Sequence, residues 1–402
     1  MVAFHEPADP TYFMRPGRLA NLDFPLLFCT LGATIVGVLM VFSATNTTRT
    51  GPLALDDNAV KQAMFGCIGL VIMFILARID FRFLESFTLP FYLVTVLLLS
   101  LVTLLGVISY GAQRWLDLGI IPIQPSELAK LSLIVLLAKF LSDRAKDLDK
   151  LKWFILAGII AAVPTVLVLT QPDLGTAIIL SMIFLGMTIG ARVSGRIFLL
   201  VGAISVPAMY AFWTWFMHDY QRDRFTIFLH PESDPSGAGY NIIQARITAG
   251  SGGLLGQGFL NGSQSQLEFI KVQYSDFIFS VVAEQFGFIG SVVMIGLLFI
   301  LVWRCLVVAS RAPDGFGSLI AIGVATWIGM QIFINIGMNI GLMPVTGIPL
   351  PFISYGGSSL MSILLGLGMV QSVAVQSSAV VFGGSLIAPG WARSGRTTLR
   401  PR

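Results

Sequence analysis

Of the 402 residues, 55% are hydrophobic and 11% are charged, against roughly 25% charged in ordinary soluble domains. A soluble fold cannot hide that much apolar surface, so composition excludes that class. The formal charge of +4 does not indicate nucleic acid as a partner, because the 25 Lys and Arg stand singly between apolar runs and form no stripe. Cys29 and Cys67 fall inside apolar runs and Cys305 beside the end of one, with no CxxC pair, which argues against a disulfide framework or a zinc site. MVAFHEPADP lacks a charged segment followed by a short apolar core, so no cleavable signal peptide is expected.

A helix needs about 20 mostly apolar residues to cross the hydrocarbon core, where its backbone groups must be satisfied within the segment. Ten stretches qualify: approximately 24–44, 59–78, 87–108, 127–142, 153–170, 174–190, 196–216, 286–309, 319–340 and 358–380. The chain thus reads as an all-α polytopic membrane protein of about ten transmembrane helices. The fourth and sixth spans are short, which predicts polar ends held inside the protein. Positive charge is kept on the cytoplasmic side. With the N-terminus inside, the inner loops carry Arg78, Arg82, Arg144, Lys146, Lys150, Lys152, Arg192, Arg196, Arg304 and Arg311, and the short outer loops only Arg49, Lys61 and Arg114. Residues 1–23 and 381–402 then form cytoplasmic tails, the second Gly-, Ser- and Arg-rich, expected to be flexible and suited to the anionic inner leaflet. Residues 217–285, between the seventh and eighth spans of the 24–380 membrane domain, form the long extracytoplasmic segment.

Polar constellations follow in chain order. In GAQRWLDLGIIPIQPSELAKL (111–131), Trp115 beside Arg114 is an interfacial anchor or the wall of a groove. Pro125–Ser126 suggests that the fourth helix starts there with Ser126 as N-cap, and Glu127 and Lys130, three apart, share a helix face. They form either a structural ion pair or part of an anion site. Asp173 in TQPDLGTA resembles an N-cap, which does not prevent it from lining a cavity. Six glycines between Gly250 and Gly262 can bring backbone N–H groups to a phosphate or act only as hinges, and the Walker pattern is absent. Arg222, Arg224 and Arg246 are cations on the outer side, either solvated or used. Asp276 stands where polar sequence turns into FIFSVV, with Ser280 and Glu284 following at helical spacing on one predicted face. A carboxylate at that boundary is desolvated, which favours its accepting a proton from a hydroxyl. Glu268 is a second acid or an orienting group. The structural alternative for Asp276 is a buried salt bridge with Lys130 or Arg246. Finally, GLMPVTGIPLPFISYGGSS (341–359) carries no charge, and a neutral rigid loop at membrane depth must be buried in protein or line a cavity, where Ser354, Tyr355 and Ser358 offer hydroxyls.

GAQRWLDLG with QPSELAKL, QPDLGTA, PESDPSGAGYNIIQARITAGSGGLLGQGFLNG, SQSQLEF, SDFIF and MNIGLMPVTGIPLPFISYGGSS together resemble the SEDS family (shape, elongation, division and sporulation), in order and spacing, over nearly all of the membrane domain. The last motif is similar to that of the elongation branch. The resemblance implies a bacterial cytoplasmic-membrane glycosyltransferase that polymerises lipid II, a disaccharide-peptide on undecaprenyl diphosphate, into glycan strands at the outer face, with inversion, beside a class B penicillin-binding protein. It implies catalytic roles for Asp276 and Glu268 and site roles for Trp115, Glu127, Lys130 and Asp173, while Arg114 and Arg246, the latter where the family commonly has lysine, are expected to neutralise the diphosphate and Ser354 and Ser358 to offer hydroxyls to the substrate. This sequence departs from the family pattern at Lys271, Val272, Tyr274 and Gln285, so roles tied to the usual residues there do not carry over. No metal cluster is legible and no cofactor is read from the sequence, while a divalent cation bridging the diphosphate and carboxylates such as Asp173 stays open.

Ten helices with intramembrane charges would equally suit a lipid flippase or transporter, and a scaffold that only recruits the transpeptidase is a third class. A transporter places ionisable groups near the bilayer midplane, whereas Glu127, Lys130, Asp173 and Asp276 map to outer helix ends.

Overall fold

The computed structural model describes residues 21–45, 57–105, 107–109, 112–117, 122–211, 214–215, 222, 226–234, 237–267, 269–270 and 273–383. Ten long helices coincide with the ten apolar stretches: α1 (Phe24–Thr45), α2 (Asn58–Arg78), α3 (Phe83–Leu105), α4 (Pro125–Asp143), α5 (Leu151–Thr170), α6 (Leu174–Gly190), α7 (Gly195–Ala211), α10 (Ile278–Arg311), α11 (Gly315–Asn339) and α12 (Gly357–Gly383). Between α7 and α10 stand α8 (Ala238–Ser251) and a single turn, α9 (Ser263–Gln266). The loop after α3 adds a small antiparallel sheet, β1 (Val107–Ser109), β2 (Ala112–Asp117) and β3 (Pro122–Ile123), with Val107 opposite Trp115 and Leu116 opposite Ile123.

Seven of the described helices are long and apolar enough to span a membrane by length and composition alone. The other three fall short for identifiable reasons. Helix α4 carries Glu127, Lys130, Lys139 and Asp143, and α6 and α7 have 17 residues each, a rise of about 26 Å against a core of about 30 Å. Local signals set the starts. Pro125 occupies the first turn of α4 with Gln124 as the cap, so Ser126 lies inside the helix and does not cap it. Asp314 accepts from Gly317 N at 2.8 Å at the head of α11 and also from Arg82 Nε at 3.0 Å, which ties the α2–α3 connection to α11. Asp23 caps α1 by accepting from Leu26 N at 2.9 Å and pairs with Arg304 of α10.

Burial separates centre from periphery. The most apolar stretches of α12 and α11 are 83% and 61% buried, against 28% for α2, α3 and α5, whose outer faces carry Ile68, Val71, Leu93, Leu97 and Ile159. Helix α11 packs against α4, α6 and α10, and α12 lies along α2. Helix α10 starts at Ile278, eight residues before the apolar stretch at 286, and bends at Gly287, whose φ of 65° and ψ of −164° are non-helical. The glycine run lies against this bend. Phe288 N and Ile289 N donate to the carbonyls of Gly253 and Leu254 at 2.9 and 3.1 Å, while Gln257 N and Gly258 N donate to those of Glu284 and Gln285 at 2.9 and 3.0 Å. Helix-breaking geometry inside a membrane span is tolerated where other backbone satisfies the freed groups, and the small residues allow that approach. The run is therefore backbone packed on backbone. A Cβ at Gly287 would sit 2.3 Å from Gly256 N and 2.6 Å from Leu254 O in a conformation that L-residues rarely adopt. Gly287→Ala is accordingly expected to lower the melting temperature of the detergent-solubilised protein by several degrees, and a melting curve matching wild type would show that the bend adapts.

Candidate active site

The loop between α11 and α12 is the hub of the polar region. Its chain from Ile340 to Gly356 is non-helical and is buried at Thr346, Ile348, Leu350, Phe352, Ile353 and Ser354, while Ile340 and Leu342 are exposed. Its groups find specific partners. Gln62 of α2 donates to the carbonyls of Ser354 and Phe352 at 3.1 and 3.3 Å and accepts from Gly356 N at 3.3 Å. Ser354 Oγ accepts from Leu350 N at 2.8 Å and donates to the carbonyl of Ser275. Tyr355 N donates to the carbonyl of Tyr274 at 2.9 Å, and the two rings meet edge to face at 5.9 Å. Burial raises the Tyr355 phenol above its ordinary value, so the ring stays neutral at physiological pH. Tyr274, one of the departures noted in the sequence, thus packs on this loop.

Asp276 lies in the turn 273–277 ahead of α10, with Phe277 as the cap residue. The predicted shared helix face with Ser280 and Glu284 therefore does not include it. The three side chains go to different partners. Asp276 is half-buried, accepts from Ser275 Oγ at 2.9 Å, and faces the loop at Gly347, where an ideal Cβ would be 3.8 Å from its Oδ2 and φ is 71°. Ser280 bonds Asn339 of α11. Glu284, fully buried, accepts from Gln264 N and Ser265 N at 2.7 and 3.1 Å, closing the first turn of α9. Its neighbour Gln285 donates through Nε2 to Ser43 Oγ of α1 at 2.7 Å, so a neutral amide stands there as a helix-to-helix tie.

The two cations offered as ion-pair partners of Asp276 have contacts of their own. Lys130 Nζ is 2.7 Å from Glu127 Oε1 and 4.9 Å from the Trp327 ring centre, with Lys130 and Glu127 1% and 3% exposed. Glu127 Oε2 is buried without a hydrogen-bond partner, as are Ser126 Oγ, Gln331 Oε1 and Thr346 Oγ1. Arg246, exposed on α8, reaches the start of the loop, where its Nη2 is 3.4 Å from the Gly341 carbonyl. Asp173 caps α6 as the sequence suggests, accepting from Thr176 N at 3.1 Å and from its Oγ1 at 2.9 Å. Two residues on, Gly175 sits against Thr346 and Ile348. The loop thus brings together Arg246, Asp276, Ser354 and the head of α6. Ser358 lies in the first turn of α12. Arg114 and Trp115 lie on β2, described in its backbone alone, and Glu268, Lys271 and Val272 lie outside the described residues, as does Arg224. Among the described residues, no three or more His, Cys, Asp or Glu side chains group to hold a metal ion.

Sequence reasoning missed Asn335 and Asn339, both fully buried on α11. Their amides donate to the main-chain carbonyl of Asp276 at 3.1 and 3.0 Å. The readable signal was two asparagines four apart in an otherwise apolar span, where an amide needs a partner.

The Lys130–Glu127 pair gives a direct stability test. Breaking a buried pair from one side leaves an uncompensated charge, at a cost of about 3–5 kcal/mol. Lys130→Met should show that loss in thermal unfolding, and Glu127→Gln/Lys130→Met should recover most of it. Equal melting of the Lys130→Met variant and wild type would remove the structural role.

Comparison with known proteins adds identity at the level of the whole chain. The family model for cell cycle proteins of the FtsW, RodA and SpoVE type matches residues 24–379. The chain is 40% identical over 355 residues to the peptidoglycan glycosyltransferase MrdB of Escherichia coli K12, covering 88% of this chain and 93% of that one. Among solved structures it resembles a chain of a peptidoglycan synthase complex that coordinates polymerization and crosslinking, with TM-score 0.75, 31% identity and coverage of 89% and 98%. It also resembles the rod shape determining protein RodA of Thermus thermophilus, with TM-score 0.65, 30% identity and coverage of 89% and 98%.

Proposed function

We infer, from a chain that belongs to the FtsW, RodA and SpoVE family and is a multi-pass peptidoglycan glycosyltransferase of the elongation kind, that its chemistry takes place where Asp276 meets the α11–α12 loop. The substrate is lipid II. In the step proposed, the 4-hydroxyl oxygen of an acceptor sugar attacks the anomeric carbon of the lipid-linked donor. The new C–O bond forms as the bond to the diphosphate breaks, with inversion, and the hydroxyl proton passes to the Asp276 carboxylate. A positioned general base contributes about 10²–10⁴-fold to rate.

The observation that carries this reading is the setting of Asp276. It is a half-buried carboxylate whose backbone is held by two amides and whose oxygen faces the Gly347 backbone in a neutral loop. Arg246, exposed at the start of the same loop, and Arg114 on β2 are suited to meet the diphosphate as its charge develops. Lys130, buried and paired with Glu127, is proposed to add its field to that of these arginines. Glu268 serves as a second acid or orients the sugar, Trp115 and Ser358 are proposed substrate contacts, and Asp173 fixes the head of α6. A class B penicillin-binding protein is the proposed crosslinking partner, supported by the likeness to a chain of a synthase complex that joins polymerization to crosslinking.

Asp276→Asn tests the base assignment. With the partner and lipid II present, glycan polymerisation should fall by about 10²–10⁴-fold while membrane insertion and melting stay near wild type. Undiminished polymerisation by a normally inserted variant would remove Asp276 from that role.

A further inference from the structure

Asn335 and Asn339 sit one turn apart on α11, both 0% exposed. What they grip is the peptide that carries Asp276. Asn335 Nδ2 donates to the Asp276 carbonyl at 3.1 Å and also to the Ile348 carbonyl at 2.8 Å. Asn339 Nδ2 donates to the same Asp276 carbonyl at 3.0 Å and to Asn335 O at 2.9 Å. Its Oδ1 accepts from Ser280 N at 3.2 Å and Ser280 Oγ at 2.9 Å, in the first turn of α10. The pair therefore joins three things: the turn holding Asp276, the start of α10, and the loop peptide next to Gly347, which the Asp276 carboxylate faces at 3.8 Å from the ideal Cβ position.

We propose that Asn335 and Asn339 are positioning residues for the glycosyl transfer, fixing the Asp276 carboxylate against the Gly347 wall by holding its main chain from α11. The proposal rests on Asp276 being the base. A general base must stand within about 2.6–3.2 Å of the hydroxyl it deprotonates, and a misplacement of about 1 Å can cost 10²-fold in rate. Holding by the main chain suits this purpose, because it constrains the carboxylate's position without occupying its oxygens. The same two amides also satisfy carbonyls in a water-poor interior, so a purely structural role is the competing account. It predicts loss of folded protein without a selective loss of turnover.

The experiment uses the full chain with its partner in lipid bilayers, measuring kcat and KM for lipid II together with thermal unfolding. Asn335→Leu and Asn339→Leu remove the donors at similar volume, and Asn335→Ser and Asn339→Ser are the milder substitutes should a leucine variant not fold. For folded protein, kcat is expected to fall about 10- to 100-fold with KM within about threefold, as for an interaction that matters in the transition state and not in ground-state binding. Placed on Asp276→Asn, the asparagine substitutions should add no further loss, because the group they position is gone. Wild-type kcat in folded asparagine variants, or a rise in KM alone, overturns the proposal while leaving the base assignment intact. Wild-type turnover by Asp276→Asn would instead overturn the base assignment, and this proposal with it.

Discussion

The structure depends on one constraint, that non-helical backbone inside a membrane domain must have every carbonyl and amide satisfied from within the protein. Residues 340–356 break the helical pattern between α11 and α12, and the stretch 350–354 is buried, so its polar groups require partners that hydrocarbon cannot supply. Those partners come from three directions: Gln62 on α2, Asn335 on α11, and the turn ahead of α10 through Tyr274 and Ser275. Because each partner also belongs to another element, satisfying the loop fixes the elements to one another. The aspartate in that turn is positioned as a consequence.

The direction of the helices gives the region its electrostatic character. In a ten-span chain every second span runs the same way, so the heads of α4, α6, α10 and α12 lie toward one side. Glu127 and Lys130 stand in the opening of α4, Asp173 caps α6, Asp276 precedes α10, and Ser358 opens α12. A helix N-terminus carries a partial positive charge of about half a unit and free N–H groups that favour anions. These four ends, with that of α2 on the same side, make a surface that favours anions, and the same logic explains how the carboxylates there are tolerated.

Much of this was legible from residue order. Apolar runs identify spans because the bilayer demands a length and a composition, and each of the ten runs contains a helix. Positions were less legible where backbone geometry decides. The eighth span reads as beginning near 286 because the helix before Gly287 holds Ser280, Glu284 and Gln285, polar residues that the interior satisfies with Asn339, α9 and Ser43. Asp276 was placed on that helix by spacing, but the helix begins only after Phe277. The glycine run was ambiguous because its partner, the Gly287 bend, is a feature of φ and ψ. Strands of three and two residues are too short to display alternation, and the six residues of β2, AQRWLD, do not alternate. Asn335 and Asn339 were hidden for another reason: they lie in a run whose hydropathy is read as a whole, and what they bond is 59 and 63 residues distant in the chain.

Two neutral amides hold the main chain at that point. A cation hydrogen-bonded to a carboxylate favours its charged form and so weakens it as a proton acceptor. Lys130 is bound by Glu127 at 2.7 Å, and Arg246 reaches the Gly341 carbonyl. Asparagine can hold a carbonyl firmly without adding charge, and it does so at the main chain, leaving the carboxylate's second oxygen toward the Gly347 wall. A general base is served by rigid placement, and on the proposed reading Asp276 is that base. On that reading the buried amides of α11 supply the placement, through the main chain of Asp276.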